Sequence, residues 1–145
     1  MSLLSLLALI AGACIAVQAA MNAQLGMALN SSVTATGYAF LTSFLLVALI
    51  SAAQWQPLPE NFTHRAPWYT WFSFVFSVVG VASFYFLIPK MGVGNMMSFA
   101  LTGQIILAMV ISHYGLFASP VKLINSTKLL GLLLMVVGII LINRD

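Results

Sequence analysis

The sequence predicts an all-α integral membrane protein with five transmembrane helices per chain, and three observations lead there. Of its 145 residues, 62% are hydrophobic and only 5% charged, against roughly 25% charged in a soluble domain. Five lysines and arginines stand against two acids, for a net charge of +3, too thin a charged shell to disperse a globule in water. Apolar runs recur at lengths near the roughly 20 helical residues that cross a bilayer core about 30 Å thick. Residues 1–145 read as a single membrane domain, with spans at 3–26, 33–53, 68–88, 93–112 and 123–142.

The first run, from Leu3, reads as a span and not as a cleaved leader. No basic residue precedes it, and the apolar stretch continues well past Cys14. Asn30-Ser31-Ser32 closes a tight uncharged turn and caps the second span, so the first two helices form a hairpin. Gln54–Pro67 is the longest polar stretch, with Pro57, Pro59, Glu60, His64 and Arg65, and reads as a surface loop. Pro67 then suits the first turn of the third span. That span is broken by Pro89-Lys90-Met91-Gly92, and the fourth follows directly. The last is fully apolar only from Leu129, so Lys128 is expected to snorkel to the headgroups.

An odd number of spans puts the termini on opposite sides. Arg65, Lys122 and Lys128 then share one side, and Lys90 and Arg144 the other. Since excess Lys and Arg fixes the cytoplasmic face, this near tie permits either orientation. The same basic residues are scattered singly, so nothing resembles a nucleic-acid footprint. The lone Cys14 supports neither an internal disulfide nor a zinc cluster. No phosphate loop, nucleophile–base pair or metal cluster is recognisable, so the sequence points away from an enzyme and requires no metal or cofactor.

No Asp or Glu lies within any span, although a buried carboxylate is the usual device for coupling protons to cation transport. Amides, hydroxyls and glycines remain. Gln18 and Asn22 fall on one face of the first helix, with Ala11 and Cys14 on the same stripe, while Leu9, Ala13, Ala16 and Ala20 form the opposite one. Gln104 follows Gly103 on a face with Met97, Ala100, Ala108 and Ile111. Asn95, Ser98 and Thr102 point the other way, the first as a capping residue and the others bonding back to their own backbone. In the third span Ser77 and Gly80 offer a packing groove beside Phe84 and Tyr85. Gly131 and Gly138, seven residues apart, permit close helix approach and suit a dimer contact. His113 serves either as a helix-end cap or as a proton-coupling group.

Inward amides, small-residue faces and balanced charge suit one half of a 5+5 inverted-repeat transporter, completed by an inverted copy. The sequence resembles the YdcZ-type five-helix family of the drug/metabolite transporter superfamily over almost its whole length. The resemblance rests on Gln18–Gly26 in the first helix, Pro67-Trp68 opening the third and Pro89–Gly92 closing it. It also rests on Gly103-Gln104 with His113-Tyr114-Gly115, and on Leu130-Gly131 to Gly138. It implies a bacterial inner-membrane exporter, working as an antiparallel, dual-topology homodimer. Many relatives carry an acid just before the histidine, where this chain has Ser112, which puts proton coupling through that position in doubt.

The leading expectation is therefore a small-molecule exporter working by alternating access, with Gln18, Asn22 and Gln104 lining a cavity from both protomers. Without intramembrane charge, its substrate should be small and polar, zwitterionic, or a cation stabilised by Phe84 or Tyr85. The alternatives are a passive channel of the same architecture and a non-transporting membrane assembly partner that uses Gly131 and Gly138 only for assembly.

Overall fold

In lipid a backbone that cannot turn to water must satisfy its own hydrogen bonds. All the regular structure among the described residues is accordingly helical. The computed structural model describes residues 2–54 and 66–144. Most of the loop expected between Gln54 and Pro67 lies outside the described residues, including Pro57, Pro59, Glu60, His64 and Arg65. The chain divides into two compact units, residues 1–90 and 91–145.

In the first unit, α1 spans Leu3–Ala28 and begins at Ser2, whose hydroxyl accepts the Ser5 N–H at 3.2 Å. Its end explains the tight turn. Asn30 adopts φ 51°, a left-handed conformation that asparagine tolerates better than most residues. This lets Ser31 N–H donate to Gly26 C=O at 2.9 Å and Asn30 N–H to Met27 C=O at 3.1 Å, the paired closure of a Schellman motif. The Ser31 hydroxyl then accepts the Thr34 N–H at 3.1 Å, capping α2, Ser32–Gln54.

The hairpin closes on small side chains. Ala19, Ala23 and Gly26 are the buried residues of α1, and Ala35, Thr36 and Ala39 those of α2. A Cβ added at Gly26 would lie 3.6 Å from the Ala35 Cβ, an ordinary contact that leaves no room for a longer side chain. Packing of this kind holds helices together where burial from water gives no drive.

Trp68–Phe72 forms a 3₁₀ turn that leads into α3, Ser73–Met91. Trp68 packs edge-on against Tyr69 and Phe72, each with centroids at 6.1 Å, an aromatic group of the kind found at membrane interfaces. The sequence expects Pro89 to break this helix, yet α3 runs through it to Met91. A proline in the last turn forfeits a single backbone bond, and the helix stops at Gly92, where φ is 83°. At that end Lys90 Nζ sits 3.4 Å above the Phe86 ring centroid.

The second unit pairs α4, Val93–Tyr114, with α5, Ser126–Ile142. Helix α4 ends at Gly115, whose φ of 63° turns the chain while its N–H bonds Ile111 C=O. A short 3₁₀ turn, Leu116–Ala118, follows, and Phe117 and Ala118 there also have positive φ. Helix α5 starts at Ser126, because Asn125 Oδ1 accepts the Lys128 N–H at 2.9 Å and caps it. At the other end Asn143 Nδ2 donates to Ser98 Oγ at 2.9 Å and to Ile139 C=O at 2.7 Å, tying the end of α5 to the start of α4.

Four of these segments are long and apolar enough to cross a membrane: Leu3–Ala28, Ser32–Gln54, Trp68–Met91 and Val93–Tyr114. Helix α5 is apolar but shorter, at 17 residues, or about 26 Å.

Candidate functional site

Helical spacing sorts α1 into two adjoining stripes. Ala19, Ala23 and Gly26 face α2. Gln18 and Asn22 lie on the neighbouring stripe and, with Ile10, Cys14, Val17 and Met21, line an open groove of about 540 Å³. Ala13, which the sequence puts on the opposite stripe, also lines it. The wall is almost wholly apolar apart from the two amides, and all its lining residues belong to α1. The groove is thus one-sided, a surface that a second body can complete.

Asn22 is the pivot of the unit. Its Nδ2 donates to Tyr85 Oη at 2.9 Å, across 63 residues of sequence, and ties α1 to α3. Tyr85 is only 2% exposed. Its ring therefore serves as a wall, and its hydroxyl is turned towards the amide. Phe84, its neighbour, is half-buried. Tyr85 also borders a second groove, about 330 Å³, with Gly26, Asn30, Ser32, Phe86 and Pro89. Asn22 belongs to the first groove and Tyr85 to the second, so the hydrogen bond stands where the two adjoin.

The sequence thus places Gln18, Asn22 and Tyr85 among the candidate residues, and the structure brings Asn22 and Tyr85 into contact with Gln18 one turn away. Gln104 stands exposed on α4, in the second unit. Ser77 is exposed and borders a shallow groove of about 450 Å³ with Phe40, Ser43, Phe44 and Val47 of α2. A Cβ added at Gly80, Gly131 or Gly138 would meet nothing within 4 Å, so these positions are open within the chain.

His113, near the end of α4, accepts the Ile124 N–H at Nδ1, 3.1 Å away. Its proton is thereby assigned to Nε2. The ring packs edge-on against Tyr114 with centroids at 4.9 Å. Three neighbouring hydrogen bonds close the same corner: Lys122 N–H donates to Ser112 C=O at 2.9 Å, and Lys128 Nζ donates to Leu123 C=O at 2.6 Å and Lys122 C=O at 3.3 Å. Lys128, expected at the headgroups, also satisfies carbonyls just before its own helix.

The hydroxyls behave differently from the amides. Ser98 donates to Asn95 C=O at 2.8 Å and Thr102 to Ser98 C=O at 2.8 Å, as the sequence predicts. Asn95 does not cap α4, whose N-cap is Gly92 with no side-chain bond. The Asn143–Ser98 tie was not legible, since Asn143 lies just beyond the last apolar run, 45 residues from its partner. A polar residue flanking a span was the one available signal.

The fold and the groove define a multi-span helical membrane protein with an amide-marked apolar surface. Residues 3–141 match the family described as "Putative inner membrane exporter, YdcZ", and the chain belongs to that family. That is a family of transporters by name, not of enzymes. No curated protein and no solved structure matches the chain.

Proposed function

We propose that the chain is a bacterial inner-membrane exporter of small molecules that works by alternating access as an antiparallel, dual-topology homodimer. The observation that carries this reading is the one-sided groove on α1, about 540 Å³ of apolar wall marked by Gln18 and Asn22. A lone amide in lipid is costly unless it finds a partner. Asn22 has Tyr85, whereas Gln18 has no hydrogen-bond partner among the described residues and is available to a ligand. A second, inverted copy would supply the facing wall.

Charge supports the same arrangement, because Lys90 and Arg144 nearly balance Arg65, Lys122 and Lys128 across the two faces. The open faces at Gly131 and Gly138 are the proposed dimer contact. For α5 to serve as the fifth span, its 17 residues must cross nearly upright, with Lys128 and Asn143 at the two interfaces. The groove carries no charge, so the proposed substrate is small and polar, zwitterionic, or a cation that also meets the Phe84 ring. Gln104 enters as a second amide open to substrate, and His113 as the proposed proton-coupling group, taking its proton at Nδ1 with release of the Ile124 N–H.

The test uses proteoliposomes and the native Cys14 as a reporter in the groove. A transported compound should slow labelling of Cys14 by a thiol reagent, saturate, and show counterflow. Gln18→Leu should abolish both protection and transport while the protein stays folded. Normal transport by Gln18→Leu would show that the groove is not the path, normal transport by Gln104→Leu that this second amide does not meet the substrate, and flux without saturation would make the protein a channel.

A further inference from the structure

The corner between α4 and α5 contains a further cavity, about 230 Å³ in volume and sharing no lining residue with the α1 groove. Its wall changes character along its length. Ile105, Ala108 and Met109 of α4 form an apolar side, while Ser112, Lys122 and Lys128 form a polar end. Lys128 Nζ donates to two carbonyls, Leu123 and Lys122, which leaves one of its three protons unassigned. Lys122 is exposed and its ammonium makes no hydrogen bond or ion pair among the described residues. The N-terminus of α5 opens beside them and adds its own partial positive charge.

Among the described residues no carboxylate is present to neutralise this end. The chain has only two acids, Glu60 and Asp145, and neither lies among the described residues. Two lysines, a hydroxyl and a helix start thus converge at the end of a membrane-length helix, beside an apolar strip that runs towards its middle. We infer that this cavity is a binding site for an anionic phospholipid. The phosphate would sit between Lys122, Lys128 and Ser112, and an acyl chain would lie along Ile105, Ala108 and Met109. Charge complementarity selects the headgroup, and the apolar strip selects a lipid over a free phosphate. The site is independent of transport and stands whether or not the α1 groove carries substrate.

The test measures phosphatidylglycerol retained by the purified full chain, by native mass spectrometry from a phosphatidylcholine-containing micelle. Saturable binding of one phosphatidylglycerol per chain is expected, with phosphatidylcholine not competing. Removing one lysine near a headgroup weakens such binding about fivefold, so Lys122→Gln should do so without disturbing any side-chain bond of the fold. Lys128→Arg keeps donors for the two carbonyls and should retain lipid, whereas Lys122→Gln combined with Lys128→Gln should lose it. Ala108→Trp fills the apolar side and should also reduce retention. Three results would overturn the assignment: unchanged binding by Lys122→Gln, an equal loss from Lys90→Gln at a basic residue that does not line the cavity, or displacement of the lipid by inorganic phosphate at equal concentration.

Discussion

Replacing Tyr85 with Phe removes one oxygen and leaves the ring in place, which isolates the Asn22–Tyr85 hydrogen bond from the packing around it. Interhelical hydrogen bonds in membranes contribute about 0.6 kcal/mol on average and up to about 1.7. The amide left behind by Tyr85→Phe is half-buried at the edge of an open groove, so it is only partly enclosed by protein. Its loss should therefore cost about 1 kcal/mol. Asn22→Ala leaves the other partner stranded, and that hydroxyl belongs to a residue 2% exposed, so about 2 kcal/mol is expected. The double variant should cost less than the sum, with a coupling of about 1 kcal/mol. Tyr85→Ala removes the ring as well and should cost about 3 kcal/mol or more. Unfolding in mixed micelles on addition of a denaturing detergent, followed by tryptophan fluorescence, measures all four. A coupling energy within about 0.3 kcal/mol of zero would mean that the two groups do not bond, and the link between α1 and α3 would have to lie elsewhere.

Gly115→Ala should destabilise the chain by about 1–2 kcal/mol, because φ is 63° and the new Cβ would sit 2.8 Å from Val121 Cγ2; adding Val121→Ala should recover the steric part only, as read by the same unfolding assay. His113→Ala should cost about 1–3 kcal/mol by stranding the Ile124 N–H, and His113→Asn should restore most of it by offering an oxygen near the Nδ1 position; equal losses from both would show that the bond is not what holds this corner. Ala35→Leu, at a residue 0% exposed, should split the α1–α2 hairpin at a cost of about 1–3 kcal/mol, seen as a lower unfolding midpoint. Gly138→Leu meets only open space within the chain, so it should leave monomer stability unchanged but reduce dimer formation in a cross-linking assay; an unaffected dimer would move the contact away from α5.

The helices were legible because a chain that is 62% hydrophobic still punctuates itself with polar and glycine residues. Asn30-Ser31-Ser32 announced its turn through three residue types that favour left-handed or capping geometry, and it folds that way. Pro89 misled because a proline's effect depends on how many helical bonds follow it, and here hardly any do. Which face of α1 packs was not legible. When nearly every position is apolar, hydrophobic periodicity has no contrast, so Ala19, Ala23 and Gly26 could be distinguished only by where α2 approaches. The pairing of Asn22 with Tyr85 was equally hidden, since one sequence cannot reveal which of several intramembrane polar groups meet across helices. The carbonyl bonds of Lys128 were hidden for a local reason: its long side chain folds back onto groups that a non-helical Leu123 and Lys122 leave open.

The polar groups within the helices divide by reach. A serine or threonine hydroxyl is short enough to donate to the carbonyl a turn earlier, and Thr36, Thr42, Ser83, Ser98 and Thr102 all do so at 2.6–2.9 Å. Those hydroxyls have spent their donors on their own helix and can meet a neighbour only as acceptors, as Ser98 does for Asn143. The amides of α1 are not satisfied in this way, although that of Asn143, just past α5, does bond back to Ile139. Asn22 reaches across to α3 instead, while Gln18 projects from the same stripe into the groove. Recognition along α1 would then depend on amide hydrogen bonds set in an apolar wall, which orient a ligand by shape and by where its donors and acceptors fall. Gln18→Glu tests that division, because it keeps size and acceptor oxygens but adds charge and removes a donor. A neutral substrate should be lost and a cationic one gained, in competition measured by protection of Cys14. If both substrate types protect Cys14 equally in Gln18→Glu and wild type, the amide at position 18 does not contact the ligand.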